Sequence, residues 1–198
     1  MNRALAKGYK WVTMQVNDGT TGHLQRAKVP EYREACAGRL IFTIWLTRPF
    51  DGAFARQMAV ETGCQGILLE GEIPSESMNW DTGQPEPRPE AVNWPEVIFH
   101  LQDLDIAKGV VTNFAPFVHW NGALWPEKAK PLVDAGYACV TENFISESPN
   151  SVPANTHFTA SQLGWKRTQP MVEGWRLAEY GDLSGYPNVS HWDAGNVL

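Results

Sequence analysis

The sequence predicts an α/β protein of the (β/α) barrel class. Three observations carry that prediction: short, nearly continuous apolar runs of strand length, amphipathic segments of helix length between them, and polar or acidic residues closing several of the runs. Apolar runs without alternation fit parallel strands covered on both faces. An open doubly wound sheet gives a similar pattern; the similar strand lengths and acidic strand ends favour the barrel, whose functional rim collects the strand C-termini.

Taken in order, Asn2 to Lys7 reads as a short helix closed by Gly8, and Trp11 to Val16 as a buried strand ending at Asn17, Asp18 and Gly19. Pro30 opens a helix that Gly38 closes, and Leu40 to Leu46 is a second strand. Asp51 is an N-cap for a helix with Phe54, Ala55, Met58 and Ala59 on one face, stopped by Gly63. Gly66 to Glu72 is a third strand. Residues 74–92 then form a polar excursion of Pro, Glu, Ser and Gly, too long for a simple connection. Asn93 caps a helix that turns Val97, Ile98, Leu101 and Leu104 inward, and Gly109 to Phe114 is the next strand. Pro126 to Ala135 is a helix that Pro131 must kink or delay. Tyr137 to Glu142 is a strand, and Thr156 to Leu163 a weaker helix capped by Asn155. Pro170 to Trp175 and Val189 to Asp193 are the last strands. The whole chain, 1–198, reads as one domain.

Composition narrows the function classes. A 43% hydrophobic and 19% charged chain is an ordinary globular one, and its apolar runs fall short of a membrane span. Met1 to Lys10 has no apolar core of a signal peptide, so no secretory leader is expected. A net charge of −6, with acids and bases mixed, argues against a nucleic-acid partner. Cys36, Cys64 and Cys139 are odd in number, far apart and in apolar surroundings, which suits buried thiols. His23, His100, His119, His157 and His191 show no metal-binding spacing, and neither a phosphate loop nor a serine-nucleophile elbow occurs, so no metal and no cofactor is expected.

The sharpest chemical signal is the pair Glu70 and Glu72. Residues two apart on a strand share a face, and crowded carboxylates push one toward its neutral form, which supplies the acid and the base of glycosidic cleavage. Glu142 and Glu173 end later predicted strands and extend the candidate catalytic set. The plainer reading pairs these carboxylates with Arg48, Arg176 or helix N-termini as rim structure. Among the nine tryptophans, Trp80, Trp94, Trp120 and Trp125 stand in polar or turn-like surroundings where an exposed indole serves a binding surface. Trp45, Trp80, Trp175, Trp192 and Asn113 are the candidate substrate contacts.

The order of Trp11 to Val16, Gly66 to Glu72, Gly109 to Phe114 and Val189 to Asp193 resembles the glycoside-hydrolase-like barrels of actinobacterial phage tail and other virion proteins. More distantly it is similar to the family 25 lysozymes, whose acid-x-acid motif ends their fourth strand; Glu70, Gly71 and Glu72 match it, with Glu where that family usually has Asp. The resemblance implies a polysaccharide or peptidoglycan ligand, a virion setting, and contact with other virion proteins or self-association. Against those barrels the chain starts one strand late, which implies an incomplete barrel of about seven strands with an open gap between Trp11–Val16 and Val189–Asp193. Three functions compete: a structural or glycan-contacting and receptor-contacting module of a larger assembly, a hydrolase with Glu72 as acid/base and Glu70 as nucleophile or stabiliser, and a sugar-binding module without hydrolysis.

Overall fold

The computed structural model describes residues 12–15, 40–46, 52–71, 73–142, 154–171 and 189–191. The predicted helices at Asn2 to Lys7 and Pro30 to Gly38 lie outside them. The elements are β1 (Val12–Gln15), β2 (Leu40–Trp45), α1 (Gly52–Thr62), β3 (Gly66–Glu70), β4 (Glu76–Asn79), β5 (Gln84–Pro87), α2 (Trp94–Leu101), β6 (Ala107–Val111), α3 (Pro126–Asp134), β7 (Ala138–Glu142), α4 (Ala154–Gln162), β8 (Thr168–Met171) and β9 (Val189–His191). A 3-10 turn, Ala115–Phe117, follows β6.

The strands pair in the order β8-β7-β6-β3-β2-β1-β9, with β4 and β5 forming a separate two-stranded ribbon. Neighbours from β1 to β8 run parallel, whereas β9 runs antiparallel to β1, with Val12 opposite His191 and Met14 opposite Val189. This corrects the (β/α) barrel expectation. That fold closes eight parallel strands on themselves, but here the described strands make a mixed sheet in which β8 pairs only with β7 and β9 only with β1. The expected gap is corrected too, because the two strands meant to flank it hydrogen-bond directly to each other. Strand and helix alternation reports parallel neighbours locally; closure and the direction of the last strand are decided by pairings far apart in sequence.

Both faces of the central sheet are buried, and that explains its unbroken apolar runs. Ile44, Ile67, Leu69 and Val110 pack with Ala55 and Met58 of α1, Val97 and Leu101 of α2, and Leu132 of α3 in the main core. A smaller cluster, Ile41, Leu68, Ala107, Val111 and Val140, occupies the opposite face. Each fully buried Leu or Ile contributes roughly 1.5–3 kcal/mol by leaving water. Helix α1 is tied to α2 by Arg56, which donates to the His100 carbonyl at 2.7 Å and through Nη2 to Asp103 at 2.9 Å.

Of helices α2, α3 and α4, two start where the sequence reading places them and one does not. Asn93 stands at the N-cap of α2, but its side chain donates to Glu96 at 3.2 Å and makes no cap bond. Helix α3 starts at Pro126 and carries Pro131 inside it. Helix α4 starts at Ala154, which places Asn155 within the helix.

Candidate functional site

Parallel strands end on one side of a sheet, so the C-terminal ends of β2, β3, β6 and β7 form a common rim. Trp45 at the end of β2 is in register with Glu70 at the end of β3, and Glu70 with Val111 at the end of β6. Glu142 ends β7, in register with Met171. Two of the four candidate glutamates, Glu70 and Glu142, therefore stand at this rim with β6 between them. Glu70 is half-buried, and its carbonyl accepts from Leu46 N at 2.8 Å. Glu72, Glu173, Trp175 and Trp192 lie outside the described residues, as do the side chains of Trp45 and Glu142. The described residues thus place a single catalytic candidate, Glu70, with its side chain.

The backbone beyond β6 is strained. Phe114 has φ 70°, a left-handed conformation that a bulky residue rarely adopts, and it is held there by its own burial and by Thr112 Oγ1, which accepts from Phe114 N at 2.8 Å. Asn113 is exposed, and its Oδ1 accepts from Ala115 N at 2.9 Å, so the oxygen of this candidate ligand contact is committed to the turn.

Two insertions rise from the rim. The first is the β4–β5 ribbon, the ordered part of the polar excursion, which pairs antiparallel with Glu76 opposite Pro87 and Asn79 opposite Gln84. Its turn is built by Asn79, whose Oδ1 accepts from Asp81 N at 2.9 Å and Thr82 N at 3.1 Å, and by Gly83, whose φ of +67° is open to glycine without steric cost. Trp80 sits in this turn with 90% of its surface exposed. Pro85 and Pro87 lack N–H donors, which blunts β5 as a template for another strand.

The second insertion is the loop from Val118 to Leu124, closed by a bridge between those two residues and by His119 N donating to Ala123 O at 2.8 Å. His119 stacks on Trp125 with ring centroids 4.0 Å apart and planes 14° from parallel, and Lys128 Nζ lies 4.5 Å from the Trp125 ring centroid. Trp120 is exposed.

The ribbon's base meets both the 3-10 turn and the loop that follows it. Ser75 Oγ donates to Pro116 O at 3.0 Å, and His119 Nδ1 lies 3.4 Å from Glu76 Oε2. Neither Glu76 nor His119 was among the sequence candidates. The turn Asp81, Thr82, Gly83 was a usable hairpin signal, but its flanks do not alternate apolar and polar residues, and two prolines argue against a strand.

Among the described residues no group of His, Cys, Asp and Glu is arranged to hold a metal ion. A cavity of about 280 Å³ lies elsewhere, between α3 and the turn after α4, lined by Pro126, Lys130, Val133 and Leu163 among others, and no strand-end residue reaches it. No helix among the described residues is long and apolar enough to cross a membrane. What the rim offers is a half-buried carboxylate and, above it, a braced ribbon presenting an indole to solvent. Comparison with protein-family models, with curated proteins and with solved structures finds no match to this chain.

Proposed function

We propose that the protein is a contact module of a larger assembly, such as a virion, that meets polysaccharide through the tip of the β4–β5 ribbon. The observation that carries this reading is Trp80, 90% exposed on a turn whose own hydrogen bonds fix its shape. A flat indole face can stack on the C–H side of a sugar ring, and full exposure leaves that face open to such a partner. Asp81, Thr82 and Gln84 beside it are exposed, with carboxylate, hydroxyl and amide groups suited to sugar hydroxyls. Titration of the protein with soluble peptidoglycan fragments, followed by tryptophan fluorescence, tests the reading. A saturable change that Trp80→Ala removes supports it; no change with the wild-type protein rejects it.

A hydrolase is the second reading, favoured by Glu70 and Glu142 ending parallel strands on one rim. Release of reducing ends from cell-wall material, lost in Glu70→Gln, would establish it in place of the first.

A further inference from the structure

We propose that Trp80 and Trp120 are two stacking sites for one glycan chain, so that the protein grips an extended polymer of linked sugars in preference to a short fragment. This rests on the contact role proposed above and adds to it a second site and a preference for chain length.

Among the tryptophans with described side chains, Trp94 and Trp165 are buried and Trp125 is half-buried, whereas Trp80 and Trp120 are exposed, at 90% and 45%. Both exposed indoles sit on turns that are built alike. In the ribbon, Asn79 O accepts from Gly83 N at 2.8 Å, and Trp80 directly follows Asn79. In the loop, His119 O accepts from Gly122 N at 2.8 Å, and Trp120 directly follows His119. Each turn closes on a glycine of positive φ, +67° at Gly83 and +84° at Gly122. Each also carries an asparagine whose Oδ1 accepts from the backbone, Asn79 from Asp81 N and Thr82 N, and Asn121 from Ala123 N at 3.1 Å. An indole on a turn fixed in this way is presented with little ordering left to do on binding.

The two turns are also held in relation to each other. Ser75 Oγ bonds to Pro116 O just before the loop, His119 Nδ1 lies 3.4 Å from Glu76 Oε2, and Trp125 stacks on His119, so the residue preceding Trp120 is fixed against the foot of β4. Trp125 is occupied by that stack and by Lys128, which leaves Trp120 as the loop's open indole. From Glu76 the ribbon rises through β4 to Trp80, roughly 13 Å at the rise of a strand. Trp120 therefore stands beside the ribbon's base and Trp80 at its tip, a spacing that a chain of linked sugars spans and a single ring does not. Two sites on a stiff spacer make the second stacking event intramolecular, which raises affinity only for ligands long enough to reach both.

Isothermal titration calorimetry of the full chain with uncrosslinked peptidoglycan strands, comparing a single disaccharide repeat with strands of several repeats, tests the proposal. Wild type should bind the longer strands at least about tenfold more tightly than the single repeat. Trp120→Ala should lose that gain and keep the Trp80-dependent binding of the single repeat. Nuclear magnetic resonance of the wild-type protein gives a readout that needs no variant to fold: the indole N–H signals of both Trp80 and Trp120 should shift with the longer strands. Equal affinity of wild type for short and long strands, a length gain that survives in Trp120→Ala, or a Trp120 signal that stays still at saturation overturns the two-site grip. Trp80-dependent binding in any of those cases leaves the contact role standing, whereas no binding of either ligand by wild type rejects the contact role and the grip with it.

Discussion

A Cβ added to Gly71 would lie 2.6 Å from the Trp94 ring, and that ring, 4% exposed, is wedged between the end of β3 and Phe117. Only glycine lets the chain pass this close as it leaves Glu70. Gly71→Ala should therefore cost roughly 1–3 kcal/mol through overpacking, read as a lowered urea midpoint. Cys139 gives a second residue-level expectation. Burial pushes its thiol up to about 12, so the folded chain keeps a proton that the unfolded chain loses near pH 8.5. Folding stability contributed by this group is present below pH 8.5 and is lost as pH rises toward about 12, and Cys139→Ala should flatten that alkaline decline. Site-resolved alkylation at pH 8 should leave Cys139 unmodified until the protein is unfolded; ready labelling of the native chain would mean the thiol is not buried.

At the scale of elements, the sequence made the layered core legible because local rules agree there. The helix stop at Gly63 falls directly after α1, with φ +55°, and the runs at Leu40 and Gly66 are strands buried on both faces. Helix α3 shows burial overriding propensity: Pro131 sits inside it, yet Ala129 and Leu132 are fully buried against the main core. Leu132→Ala should cost about 2–5 kcal/mol, measured by urea unfolding, because the cavity it leaves is walled by the sheet. The ribbon was illegible for the opposite reason. Its strands follow neither apolar alternation nor β propensity, and they are held by the Asn79 turn and by contacts with a segment about forty residues away, as in the Ser75 to Pro116 bond.

For the whole molecule, local patterning identified parallel neighbours but not the end of the sheet. Nothing in Val189 to His191 states that it will lie antiparallel to β1, and that pairing both breaks the barrel pattern and fills the place where a gap was expected. Of the rim, the sequence anticipated Glu70 and Glu142 at strand ends and Trp80 in the excursion; it missed Glu76, His119 and Trp125, whose meeting depends on two insertions folding toward each other. On the proposed function, this molecule meets polysaccharide through the Trp80 turn. Co-sedimentation with insoluble cell-wall polysaccharide, comparing wild type with Trp80→Ala, tests it most directly. Because Trp80 is exposed, the variant should keep its stability within about 0.5 kcal/mol. It should also bind about tenfold more weakly, a loss of about 1.4 kcal/mol. Equal retention of the two proteins, or no retention of either, would rule out binding through Trp80.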